Sequence, residues 1–240
     1  MKQQENKIRV ALQFGSCPSE NEVSCVSAAA RADALATMPD RYEVNRVDIT
    51  KQGRWLKYSG STEGMRSGSW EQDASCVPCV LSPDRSDHGL LVHSANGYEL
   101  LPVDVVAPIL HGKNGEDGTV QGLFELAGIP LVGCGTLASA LCMDKDRAHK
   151  LAHAAGVQVP ASFILTKNME DAGIALAQAE SLGYPLFVKP VRAGSSYGIT
   201  KVTDRHDLPT AIKLAFEYDD EVIIEENITG FEVGCAVMGN

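Results

Sequence analysis

Residues 188–202 read VKPVRAGSSYGITKV and place Lys189 at the exit of an apolar run, directly before a loop of small residues. An ammonium held at a strand end can sit beside phosphate oxygens without a long entropic reach. Gly194 and Gly198 bracket Ser195, Ser196 and Tyr197. Glycines let backbone N–H groups turn toward an anion, and the two hydroxyls add donors that the backbone alone would lack. The chemistry such a segment can do is to cradle nucleotide phosphates. Plain surface turns use the same residue types, so the loop by itself does not decide between the two. It has no Gly-x-x-x-x-Gly-Lys-Ser/Thr spacing and opens no long helix, which sets it apart from a Walker loop and from a dinucleotide fingerprint.

A second polar cluster follows the apolar run 103–110: His111, then GKNGEDG, with Glu116 and Asp117. In open α/β sheets ligands bind beyond the carboxyl ends of the strands, which raises these three residues above ordinary turn residues. Asp117-Gly118 is also a good turn signal in its own right. Cys76 and Cys79 form one Cys-x-x-Cys. A zinc site would need a second pair or nearby histidines, and a redox motif its own helix start, so the pairing reads as incidental and no metal is assigned to it.

The elements that must position these groups alternate. Residues 8–14 form an apolar run, 22–38 an Ala-rich helical stretch and 42–49 a strand, the beginning of a wound α/β unit. Residues 50–100 are polar and rich in Ser, Gly and Asp, with Trp55 and Trp70 as isolated anchors, and read as an irregular insertion or hairpins. Residues 103–110 have buried parallel-strand character, 119–127 are helical, and 136–155 read as one helix carrying Lys145, Arg147 and Lys150. Strand 161–165, helix 168–182, strand 184–189, a hairpin to 202, helix 207–217 and strand 221–225 complete an α+β module with the small-residue loop in its middle. The predicted fold class is α/β, with an N-terminal substrate-binding domain over 1–133, a central subdomain over 134–224 and the start of a further domain over 225–240.

Composition narrows the function classes. The 240 residues are 44% hydrophobic, as globular chains with sizeable cores are. A formal net charge of −10 without any basic stripe argues against a nucleic-acid surface. The N-terminal apolar run is too short for a signal segment or a membrane span, which points to a cytoplasmic protein without a membrane partner. Seven cysteines, an odd number set mostly in apolar segments, fit reduced thiols.

Five segments in order resemble one family: FGSCPSENEVS from Phe14, HGKNGEDGTVQG from His111, ALCMDKDRAHK from Ala140, VKPVRAGSSYGITKV from Val188 and EVIIEENITGFEVG from Glu221. The chain resembles the ATP-grasp D-alanine–D-alanine ligases, and within them the D-alanine–D-serine ligases of vancomycin resistance. The resemblance implies an ATP-grasp fold and an ATP- and magnesium-dependent ligase that makes D-alanyl-D-alanine or D-alanyl-D-serine through an acyl phosphate, as a homodimer. It implies that Lys145 and Lys189 contact ATP phosphates, with Ser196 and Tyr197 covering them. By the same resemblance, Ser195 would tie the first-substrate region to a closing loop, Glu225, Glu226, Asn227 and Ile228 would form the hinge that pairs with adenine largely through backbone groups, and Glu232 would bind ribose hydroxyls. It further implies that Glu20 holds the ammonium of the first D-amino acid and that His111 lies beside its carboxylate.

Two departures stand out. Ser16 replaces the second glycine of Phe-Gly-Gly, and Asn21 stands between Glu20 and Glu22. The family's last third, with the closing loop, an oxyanion-binding arginine and the magnesium ligands, has no counterpart before Asn240. On this reading the 240 residues alone are expected to be an inactive fragment. The alternatives are a non-catalytic remnant that binds nucleotide and another ATP-grasp carboxylate–amine ligase. The HGKNGEDG segment speaks against the last, since it belongs to the D-alanine branch.

Overall fold

A computed structural model describes residues 7–16, 20–167 and 172–239, and these divide into two compact units, 1–144 and 145–240. The first unit is built on a seven-stranded sheet in the order β6-β5-β4-β3-β2-β1-β7. β1 (Ile8–Gly15) lies parallel to β2 (Tyr42–Ile49) on one side and to β7 (Val105–Pro108) on the other. Its run Val10 to Gly15 is buried throughout, as a strand covered on both faces must be. Helix α1 (Asn21–Ala36) crosses between β1 and β2 and presents Ala28, Ala29 and Ala32 to the sheet, small side chains that let it pack closely.

Residues 50–100 are where the sheet is extended. β3 (Trp55–Tyr58), β4 (Val77–Leu81), β5 (Gly89–Ser94) and β6 (Gly97–Pro102) continue it as an antiparallel meander, with α2 (Thr62–Ser67) and a short 3-10 turn (Ser69–Gln72) between β3 and β4. Trp70 is fully buried and meets Phe14 edge-on at 5.7 Å between ring centroids. With Cys25, Leu56, Tyr58 and Met65 they fill one face of the sheet. Ala11, Val47, Ile49, Cys79, Leu90 and Val106 fill the other, under α3 (Thr119–Ala127) with its Val120 and Phe124. Cys76 therefore packs against the first core and Cys79 within the second, an arrangement of structural thiols.

The expected helix over 136–155 is two helices, α4 (Thr136–Met143) and α5 (Lys145–Ala154). Asp144 between them is extended, at φ −84° and ψ 104°, and aspartate favours positions that open helices. α4 stays with the first unit, because the Thr136 N–H donates to Glu125 Oε1 at 2.9 Å and a Cβ on Gly118 would approach Ala140 at 3.2 Å. By contacts the division falls at 144/145.

The second unit carries a four-stranded antiparallel sheet, β10-β9-β11-β8: Thr200–Val202, Leu186–Pro190, Glu221–Glu226 and Ser162–Thr166. α6 (Ala172–Leu182) and α7 (Leu208–Ala215) cover one face through Ala175, Ala179, Leu208 and Ala211, packed on Leu186, Val188, Val222 and Ile224. Period-two alternation turns Phe187, Lys189, Ile223 and Glu225 to the opposite face. The expected helix over 168–182 is seen from Ala172 onward, residues 168–171 lying outside the described ones.

Candidate functional site

In the first unit, the carboxyl ends of β1 and β7 bring two loops together. Ser24 of α1 joins them: its hydroxyl accepts from the Gly15 N–H at 2.8 Å and donates to the Ile109 carbonyl. Glu20 stands immediately before α1 and is 5% exposed. Its carboxylate lies against Gly112, which adopts φ +65°, and a Cβ at that position would fall inside the Glu20 carboxylate. Only glycine gives the turn both its backbone angle and its room. Residues 17–19, between β1 and Glu20, lie outside the described residues, and Cys17 with them.

His111 sits one residue from this contact. Its Nδ1 is 3.7 Å from Glu116 Oε1, while its Nε2 is buried with no hydrogen-bond partner. Glu116 also accepts the Gly112 N–H at 2.9 Å, and Asp117 accepts the Asn114 and Thr119 N–H groups at 2.8 and 3.0 Å. The two acidic residues of this segment thus build the turn, and His111 keeps one nitrogen for a partner of its own. Gln121 of α3 pins the loop from below through Gly115 O at 2.8 Å. A cavity of about 530 Å³ opens beside these loops, lined by Ser16, Thr50, Lys51, Trp55, Asn114 and Thr119.

The second unit gathers the other candidates around the end of β9. Lys189 pairs with Glu225 of β11, whose side chain is 7% exposed, and its ammonium also lies 5.1 Å from the Phe187 ring centre. Lys201 approaches the same ring from the β10 side at 5.6 Å. Two cations and an aromatic face therefore share one surface of the sheet. Lys145, the first residue of α5, donates to the carbonyls of Pro190, Val191 and Ala193 at 3.1, 3.3 and 2.7 Å. Its ammonium holds the base of the small-residue loop.

At the tip of that loop Ser195 and Ser196 both have positive φ, 46° and 59°, which costs a non-glycine residue about 1 kcal/mol or more each. The Tyr197 N–H closes a turn on the Gly194 carbonyl at 3.1 Å, and its ring lies 6.3 Å from that of Tyr218. Gly198, at φ +70°, is wedged between Tyr218 and Pro190, where a Cβ would come within 2.7 and 2.8 Å of their side chains.

The hinge candidates separate. Glu225 is buried and ion-paired, and Glu226 accepts the Ala161 N–H at 2.8 Å, holding the start of β8. The Asn227 N–H donates to Pro185 O at 3.3 Å. Ile228 is 64% exposed, and Glu232 is exposed on a stretch without regular structure. The geometry thus gives Glu226 a structural role that motif reading did not foresee. Ser24 and Gln121 lie within the matched segments but receive no role there, and Asp219 is not singled out by the sequence at all; their partners are 85, 6 and 27 residues away.

Among the described residues no group of three His, Cys, Asp or Glu could hold a metal ion, and no helix is long and apolar enough to cross a membrane.

Comparison with known proteins matches two adjoining families, described as the D-ala D-ala ligase N-terminus over residues 9–134 and the D-ala D-ala ligase C-terminus over residues 151–240. The vancomycin B-type resistance protein VanB of Enterococcus faecalis is 46% identical over 236 residues, and a D-alanine–D-alanine ligase of Caldicellulosiruptor bescii is 45% identical over 238. Each alignment covers 98% of this chain and 64% of the relative, so the chain spans just under two thirds of their length. Among solved structures, the VanG D-Ala:D-Ser ligase from Enterococcus faecalis superposes with a TM-score of 0.85 at 48% identity, covering 94% of this chain and 64% of that one. The D-alanine–D-alanine ligase from Helicobacter pylori gives 0.79 at 28% identity. The two-unit α/β architecture is that of the ATP-grasp ligases, and the chain belongs to the D-alanine–D-alanine ligase family.

Proposed function

We propose that the protein is an ATP-dependent ligase joining D-alanine to a second D-alanine or D-serine, and that these residues supply the first-substrate contacts and the phosphate-facing part of its nucleotide site. The observation that carries this reading is the loop after β9. Lys189 stands at its entrance, two serines at its tip hold left-handed backbone, and its base is fastened by Lys145. Strained non-glycine backbone held in place by its surroundings is a mark of ligand-clamping segments.

In this reading the D-alanine carboxylate oxygen attacks the terminal phosphorus of ATP, the bond to the bridging oxygen breaks, and ADP leaves. The free amine of the second amino acid then attacks the carbonyl carbon of the acyl phosphate, and inorganic phosphate departs with the bonding pair and takes up the proton that the nitrogen loses. Lys189 offsets charge on the transferring phosphates, and the N–H groups and hydroxyls of Ser195, Ser196 and Tyr197 complete the cradle. Glu20 accepts from the ammonium of the first D-alanine, while the partnerless His111 Nε2 faces its carboxylate. A carboxylate and an imidazole together read a zwitterion, which neither does alone. The remaining nucleotide roles fall to the hinge Glu225, Glu226, Asn227 and Ile228, largely through backbone groups, and to Glu232, at the adenine and ribose end. Magnesium is expected from the resemblance, and no group of three His, Cys, Asp or Glu among the described residues fits it. A cytoplasmic homodimer completes the proposal.

The test is calorimetric titration with ATP and with D-alanine. Glu20→Gln should weaken D-alanine and spare ATP; an effect on ATP alone would remove Glu20 from the substrate site.

A further inference from the structure

The loop that faces phosphate is fastened at its base by a carboxylate 27 residues further along the chain from the loop residue it holds. Asp219 sits in the turn between α7 and β11, and its side chain is 7% exposed. Its Oδ2 accepts the Arg192 backbone N–H at 2.7 Å and the Arg192 Nε–H at 3.1 Å, while its Oδ1 accepts from Arg192 Nη2 at 2.7 Å and from the Glu221 N–H at 3.2 Å. Three of these four bonds go to one loop residue. The same Nη2 lies 3.1 Å from Glu221 Oε2, and Val191 is tied to the Glu221 carbonyl through its N–H at 3.0 Å. On the other flank Lys145 takes the carbonyls of 190, 191 and 193. Residues 190–193 are therefore gripped from α5 on one side and from the α7–β11 turn on the other, immediately before the strained tip.

The geometry points to Asp219 as a positioning residue that, through Arg192, holds the loop so that Ser195, Ser196 and Tyr197 are set for phosphate before nucleotide arrives. This rests on the nucleotide reading above and extends it. The physical reason is the cost of the tip: left-handed serines persist only where neighbouring structure over-determines the chain. A bidentate guanidinium–carboxylate pair with an added backbone N–H is a rigid clamp of the kind that fixes a loop's entry direction. Tyr218, beside Asp219, supports the same turn by packing on Gly198 and Tyr197. Released at Arg192, the loop would have to be ordered at the expense of binding.

The experiment compares wild type with Asp219→Asn, Arg192→Gln and the double variant. Hydrogen exchange without nucleotide should quicken about tenfold or more over residues 192–198 and stay unchanged in β9 and β11. Calorimetry should show ATP weakened about tenfold, the scale of one charge-assisted hydrogen bond, with adenosine unaffected because it carries no phosphate. The double variant should be no worse than either single change. Unchanged exchange in the loop, exchange quickened equally throughout the second unit, or equal weakening of ATP and adenosine would overturn the proposal. Arg192 is about half exposed, so its variant keeps the test open should Asp219→Asn fold poorly. If the wild-type protein binds no ATP while loop exchange still quickens, the latch stands and the nucleotide reading falls.

Discussion

Lys189 and Glu225 form an ion pair across β9 and β11, with Phe187 beside them on the sheet face turned away from α6 and α7. The cation assigned to nucleotide phosphate is held by a carboxylate that is almost completely buried. Removing one partner of such a pair leaves an uncompensated charge, which costs more than the pair itself contributes.

Lys189→Met is therefore expected to destabilise the second unit by about 3 kcal/mol, and adding Glu225→Gln should recover most of it. Urea denaturation of the two variants checks this. Equal midpoints for single and double variant would mean that Glu225 finds another partner.

Gly112→Ala should disrupt the first-substrate loops more than the same change at Gly53. Both glycines have positive φ, +65° and +81°, so both alanines meet backbone strain of about 1 kcal/mol or more. Gly53 has open space around it, whereas Gly112 has the Glu20 carboxylate. Gly112→Ala should lose stability well beyond the strain alone and abolish D-alanine binding. Matching losses at the two positions in thermal melts would show that Glu20 moves aside freely.

Asp48 sets a pH dependence. It is fully buried beside Phe14, and burial, reinforced by the nearby Glu71 and only partly offset by the Ile49 backbone N–H, pushes it up to about 9. Three raised thiols feel its charge: Cys25, pushed mainly by burial to about 11, Cys76 and Cys79, with Lys51 the nearby cation acting on Cys25. The folded chain keeps the proton at a pH where the unfolded chain has lost it. Stability from this group is therefore present at low pH and falls as pH rises from the ordinary carboxylate range to about 9, by up to about 1.4 kcal/mol per pH unit. Asp48→Asn should flatten that slope between pH 5 and 8.5. Parallel slopes for wild type and variant would show that Asp48 is ionised and solvated.

Much of this was legible in the sequence where one pattern had one physical meaning. The buried run of β1, the helix bounded by Gly118 and Gly128, and the Lys189 loop follow from local chemistry. For residues 50–100 the sequence left an irregular insertion and hairpins both open; the structure has the hairpins, and short strands with polar faces and Ser, Gly and Asp turns masked where each begins and ends. The break at Asp144 was masked by good helix formers on both sides. The loop was legible from its composition as a small-residue cradle, and its clamps at Lys145 and Asp219 were invisible because both are long-range contacts. Family motifs pointed to Glu20 and His111, but the Glu20–Gly112 packing that brings their loops together needed coordinates.

The central claim is that Lys189 and the loop after it hold nucleotide phosphate. Its most direct test is calorimetric titration of ATP into the wild-type protein and into the Lys189→Met/Glu225→Gln double variant, which keeps the sheet face free of a stranded charge. Wild type should bind ATP and the double variant should bind it at least about tenfold more weakly, with adenosine affinity unchanged because the hinge, Glu225 included, meets adenine through its backbone. Equal ATP affinity in the two proteins would contradict it.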